Sequence, residues 1–315
     1  MRSFPDSVHE SSLVSTVMIA ARLLIAGVVL LANAAAQDTS AAPEPQPTPP
    51  PASVVFQNTI PSEQMAFLSD YAGRSTQEIR KDKRFRALMK LTIPRTTYHY
   101  GVDMELSAAV DLVLEGPSLP IAVREGRYVT VASYGGPYLD GRGFVWFDIQ
   151  NGLALGGVYF HPVNGEPTPT LAIYSRQLRE TSLGMSQLPG AFAVDLAQWI
   201  LAAKPLYVSP RYFIPENGKK YVLVHDEDYC SHSEGSPAPP EASCMQLNFE
   251  AADSDVSAAY FITHARNAAN AMGGKVGKDQ TDWMWARIKA CGGSLECRIR
   301  KSRERTRELL AQTRR

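Results

Sequence analysis

The chain has 315 residues, in which 32 lysines and arginines are balanced by 32 aspartates and glutamates. That neutrality excludes the broad positive field of a general nucleic-acid or membrane-surface binder. With 44% hydrophobic residues, the sequence has the material for one large core or two modest ones.

Ile19 to Leu31 is an apolar run followed by Ala32-Asn33-Ala34-Ala35-Ala36, the layout of a secretory leader with a small-residue cleavage site. The run is shorter than the roughly 20 residues of a membrane span. No cysteine stands in the cleavage zone to carry a lipid anchor. Asp6 and Glu10 fit a positive n-region badly, whereas Met18-Ile19-Ala20-Ala21-Arg22 opens a normal one, so translation is expected to start at Met18. Residues 1–36 therefore read as a signal peptide. The mature chain is expected to be periplasmic or secreted, with no stable membrane anchor after cleavage. Residues 37–54, rich in proline and alanine, read as an extended linker, because successive prolines fix φ and remove amide donors.

Residues 55–204 read as the first folded region. Met65, Leu68 and Tyr71 share a helical face within 62–71. Ser75-Thr76-Gln77-Glu78 is a capping box that opens a second helix, carried on by Ile79, Phe85, Leu88 and Met89 and stopped by Pro94. From Pro120 the period changes to two. Glu125-Gly126 and Asn151-Gly152 read as hairpin turns between alternating strands, and 170–178 supplies another strand. An antiparallel meander of about five strands follows, then an amphipathic helix over 188–204 with Phe192, Leu196, Trp199 and Ile200 on its apolar side.

Two loops of this region draw functional readings. The glycine-rich stretch 135–143 lacks the Lys-Ser/Thr of a phosphate loop and reads as an inter-strand connection. The stretch 161–169 holds His161 and Glu166, which would need a hydrogen-bonded arrangement to serve as base and acid. As a recognition surface, Tyr138, Arg142, Trp146, His161 and Glu166 are the polar and aromatic candidates.

Residues 205–315 begin with a hairpin around Glu216-Asn217-Gly218, which feeds into His225-Asp226-Glu227-Asp228-Tyr229-Cys230. The paired Cys and His spacings of a zinc site and the alternating acids of a calcium loop are both missing there, so no metal and no cofactor is expected. Four cysteines in an exported chain argue for two disulfides. They allow three pairings, of which the nearest-neighbour one, Cys230 with Cys244 and Cys291 with Cys297, is expected. From Asp226 to Asp255 there are eight acids and no lysine or arginine, while the terminal helix is basic. Asp226, Glu227 and Asp228 thus form a candidate acidic contact for a basic partner. The last helix reads as a solvated one packed by a narrow stripe of Leu295, Ile299, Thr306 and Leu310.

The order of features in this last third resembles the lysozyme inhibitor LprI family of small secreted envelope domains. The residues that carry the resemblance are Cys230 and Cys244, Asp253 and Asp255, Ala259-Tyr260, then Gln280, Trp283, Arg287, Cys291 and Cys297, and finally Arg305 to Leu309. They cover a quarter to a third of the chain. The resemblance implies a non-catalytic protein whose partner is a lysozyme or another cell-wall lytic enzyme. The resulting expectation is an α+β fold: an antiparallel β-meander with flanking helices, then a small disulfide-bonded helical domain. Two other readings stand beside the inhibitor: a periplasmic enzyme with its site at the His161/Glu166 loop, and a non-inhibitory envelope stress or structural protein.

Overall fold

A computed structural model describes residues 55–100, 102–117, 119–133, 141–160, 170–179, 182–203, 209–231, 240–268 and 273–313. The expected signal peptide (1–36) and linker (37–54) lie outside these residues, as do Tyr138, His161 and Glu166.

Short helices open the described chain. Helix α1 (Ser62–Met65) tightens into a 3-10 turn, Ala66–Tyr71, rather than running on as one helix. The capping box forms as expected at Ser75 and Glu78 and starts α2 (Thr76–Ile79). The single long helix expected there is split in two, because Asp82 caps a new helix, α3 (Lys83–Thr92). Its carboxylate accepts from the Arg84 main-chain N–H at 2.8 Å, from the Arg84 side chain at 2.7 Å and from the Tyr71 hydroxyl at 3.0 Å. The Arg84 contacts hold that carboxyl well down, at about 2. A hairpin of β1 (Thr97–Tyr100) and β2 (Val102–Glu105) and the apolar helix α4 (Leu106–Glu115) follow; neither was expected from the sequence.

The expected five-strand meander forms from β3 (Ala122–Arg124), β4 (Tyr128–Ser133), β5 (Arg142–Asp148), β6 (Leu153–Phe160) and β7 (Thr170–Tyr174), every neighbouring pair antiparallel. At the first hairpin Glu125 and Gly126 both take positive φ, 56° and 62°. At the second, strand pairing ends at Asp148 and Leu153, so the connection holds four residues rather than two. The Asp148 carboxylate accepts from the Asn151 N–H and side-chain amide at 3.1 and 2.9 Å. Gly152 has φ +68°, and a Cβ there would lie 2.2 Å from the Ile60 carbonyl oxygen.

The sheet then runs past the boundary expected at residue 205. After β8 (Leu183–Gly184) and α5 (Gly190–Ala203), strand β9 (Ser209–Ile214) pairs parallel to β7, and β10 (Tyr221–Val224) pairs with β9 and β8. The eight strands lie in the order β3-β4-β5-β6-β7-β9-β10-β8. The described residues belong to one compact unit.

Strand alternation divides the interior in two. On β5, Phe144 and Trp146 face one cluster while Val145 and Phe147 face the other; on β7, Leu171 and Ile173 oppose Ala172 and Tyr174. The first cluster is sealed by Phe192, Leu196 and Trp199 of α5, as expected for that helix. The second is covered by α3, α4 and the C-terminal helices. Paired glycines on β6 make room for large rings: a Cβ at Gly156 would lie 2.1 Å from the Tyr174 ring, and one at Gly157 2.4 Å from Phe144.

The cysteine region is helical but not made of short helices. Helix α6 (Glu241–Ala268) has 28 residues, and α7 (Gly273–Cys291) and α8 (Leu295–Thr313) have 19 each. Val256, Ala259 and Ile262 of α6 join the same apolar cluster as Tyr212 and Val222 of the sheet. This length and this shared core tie the helices to the sheet more closely than loose disulfide-stapled elements would be. The disulfides pair nearest neighbours, Cys230–Cys244 and Cys291–Cys297, with no free cysteine. Two closed bridges point to an oxidising, extracytoplasmic environment. Among the described residues no helix is long and apolar enough to cross a membrane.

Candidate functional site

The acidic turn sits where the sheet's last strand hands over to the helices. His225 directly follows β10 and is buried at 7% exposure, and Asp255 of α6 is buried at 3%. The Asp255 carboxylate accepts the His225 main-chain N–H at 3.0 Å and its ring Nδ1 at 2.7 Å. Burial opposes charge on the imidazole, but the hydrogen bond and the charge of Asp255 outweigh it and raise the His225 pKa.

The three acids that follow differ from one another. Asp226 is exposed, yet its two oxygens accept the Ser186 N–H at 2.9 Å and the Ser186 hydroxyl at 2.6 Å. A Cβ at Gly184 would strike this carboxylate at 2.1 Å, so glycine is what lets the turn close onto β8. Glu227 is half-buried, with one carboxylate oxygen enclosed and unbonded, and burial raises its pKa. Asp228 accepts from Asn248 of α6 at 2.8 Å and from the Cys230 N–H at 3.0 Å, contacts that lower its pKa. The turn is therefore a braced acidic corner rather than a freely solvated loop. Tyr229, beside it, is 39% exposed. Across a groove stand Arg303 and Arg307 of α8, so the basic helix faces the acidic corner within the same molecule.

The residues that carry the family resemblance converge in the helical layer. Arg287 of α7 donates to Asp253 of α6 and, at 2.6 Å, to Ser302 of α8. Arg305 of α8 donates to Gln280 of α7 at 3.1 Å. Trp283 lies between the two guanidinium groups, 4.7 Å from Arg287 and 5.8 Å from Arg305. Leu309 is fully buried. These side chains lock three helices together. Arg305, placed by the sequence on the solvated side of α8, is 9% exposed, and the buried stripe runs through Ile299, Ser302, Thr306 and Leu309 instead of ending on Leu310.

The outer side of α7 is different. Its buried stripe is Val276, Gln280, Arg287 and Cys291, while Met284, Trp285 and Ile288 are 45%, 68% and 46% exposed. Positions 284, 285 and 288 share one face of a helix. This patch was not expected from the sequence, although the run Trp283-Met284-Trp285 held the signal: three consecutive large apolar residues cannot all face inward at 3.6 residues per turn. His225 was passed over there with the metal reading, and its pairing with Asp255, 30 residues away, has no local signature.

Among the other candidates, Arg142 opens β5 with its Nε buried and without a hydrogen-bond partner among the described residues. Trp146 is fully buried, its ring nitrogen donating to Asp195 at 2.7 Å, so it belongs to the core and not to a surface. Among the described residues no group of three or more His, Cys, Asp or Glu side chains is placed to hold a metal ion. No family model, no curated protein and no solved structure matches this chain.

Proposed function

We propose that this protein is an exported component of the bacterial envelope, periplasmic or secreted, that acts by non-catalytic contact with a cell-wall lytic enzyme of the lysozyme type. The observation that carries the reading is the Met284, Trp285 and Ile288 patch on α7. A tryptophan held two-thirds in water on a helix anchored by Arg287 and closed by Cys291–Cys297 costs hydrophobic energy in the free protein. Such rigid, exposed aromatics supply a large share of the energy at protein interfaces.

The acidic corner supports the same reading. Its carboxylates are held by Ser186 and Asn248, so they meet a basic partner without first being ordered. The test is capture: the oxidised chain, immobilised, should retain purified lysozyme, and Trp285→Ser should release it. Equal retention by wild type and variant removes the patch from the contact, and no retention of lysozyme removes the proposed partner.

A second reading rests on the buried His225–Asp255 pair, an arrangement that also orients imidazoles for proton transfer. The enzyme reading placed at His161 and Glu166 concerns residues outside those described.

A further inference from the structure

The seam between the β8–β10 edge of the sheet and α8 holds a cavity of about 620 Å3 that includes His225, Asp255, Asp226, Arg303 and Arg307 in its walls. We propose that this cavity binds a small organic oxyanion, a carboxylate or phosphate group carried on an apolar body. The proposal is independent of the lysozyme reading: the cavity shares Asp226 with the acidic corner, but the ligand and the residues that would hold it, Arg303, Arg307 and His225, are different.

Three features of the cavity point to an anion. Its two carboxylates are already engaged: both oxygens of Asp255 accept from His225, and both oxygens of Asp226 accept from Ser186. Its cationic donors are not. Arg303 and Arg307 stand one turn apart on the same face of α8; the charge of Arg303 acts on Asp228 across the groove, but neither side chain has a direct hydrogen bond or ion pair with a described residue. Guanidinium forks at this spacing match the planar or tetrahedral oxygens of carboxylate and phosphate.

His225, when protonated, adds a fixed third donor. The ring is nine-tenths buried, and its Nδ1 is held by Asp255, so its orientation is set before any ligand arrives. Holding Nδ1 leaves Nε2 as the nitrogen that serves the cavity, and among the described residues nothing hydrogen-bonds to it. Apolar side chains line the same cavity, Leu183 and Val224 from the sheet edge and Leu310 one turn beyond Arg307 on α8. The volume falls in the range of about 300–1,000 Å3 typical of small-molecule sites. A charged head against the arginines and imidazole, with a hydrocarbon or aromatic body against Leu183, Val224 and Leu310, uses both kinds of lining group.

Titration of the intact, disulfide-bonded chain by calorimetry tests this, with phenyl phosphate and benzoate as probes and benzyl alcohol as the uncharged control. Both anions should bind, the alcohol about tenfold or more weakly, and the tighter anion identifies the preferred headgroup. Arg303→Gln with Arg307→Gln should lower anion affinity at least about tenfold with unchanged circular dichroism, since both side chains are exposed. His225→Gln should weaken the anions as well, but the arginine pair decides the matter because its loss does not disturb the core. The proposal is overturned if benzyl alcohol binds as tightly as the anions. It is equally overturned if the double arginine variant binds them undiminished, or if neither anion binds the wild-type chain at millimolar concentration.

Discussion

Asp255 grips His225 at two points, the main-chain N–H at 3.0 Å and the imidazole Nδ1 at 2.7 Å. His225 directly follows β10 and Asp255 lies midway along α6, so this contact joins the two layers of the fold. It also separates β10 from the acidic corner that follows it.

The pair makes stability depend on pH. The folded His225 pKa is raised above the ordinary histidine value by Asp255, with Glu227 adding and burial and Arg211 subtracting; Asp226, Arg303 and Arg307 also line its cavity. Its contribution is therefore fully present below about pH 6.5 and is lost as pH rises through the folded value. Urea unfolding of wild type should show a midpoint that falls as pH rises above about 6.5, a slope that His225→Gln flattens. Asp255→Ala, which leaves the imidazole buried without its partner, should cost roughly 3 kcal/mol. A midpoint equally steep in His225→Gln assigns the pH dependence elsewhere.

Arg287 is the other joint. Its guanidinium meets Asp253, Ser302 and the faces of Trp283 and Phe249 at once. Lysine keeps the charge but not the planar fork, so Arg287→Lys should destabilise the helical layer by about 2 kcal/mol, and Arg287→Met should leave Asp253 without its partner. Hydrogen exchange should report the loss first in α7. Retention of full protection there in the lysine variant would show that charge alone holds the helices.

Gly156 should tolerate no side chain. A methyl group would overlap the Tyr174 ring, which is wholly buried and has strand β7 behind it, so Gly156→Ala should lose about 1–3 kcal/mol or more. In the Gly156→Ala/Tyr174→Ala double variant the loss should be smaller than the sum of the two single losses, and full additivity would contradict the steric cause.

Local chemistry made much of this fold readable. The Ser75–Glu78 box, the glycines at 126, 152 and 218 with their positive φ, and the alternation along β4 to β7 all act within a few residues, where sequence pattern is informative. What escaped was long-range. That Ser209–Ile214 would return beside Thr170–Tyr174 as a parallel strand depends on the α5 crossover, and no property of 209–214 alone states its neighbour. The apolar run 106–115 was overlooked because a short helix buried on most sides loses the polar face that marks a period. The acidic corner was visible as charge, but its bracing by Ser186 and Asn248 was not, since those contacts span 40 and 20 residues.

The bracing divides the acids into separable roles. Glu227→Gln removes charge without breaking a hydrogen bond of Asp226 or Asp228 and should leave stability within about 0.5 kcal/mol of wild type. If the corner steers a basic enzyme, that single change should lower the association rate, more at low salt than at high, and leave dissociation nearly unchanged. A change confined to dissociation would make Glu227 a direct contact instead.

The central claim is non-catalytic contact with a lytic enzyme, and the most direct measurement is the rate at which lysozyme clears a cell-wall suspension as the oxidised chain is titrated in. The account predicts that clearing slows saturably with the wild-type chain and that Trp285→Ser, folded to the same circular dichroism, gives little inhibition. Clearing at an unchanged rate across the whole titration would contradict it.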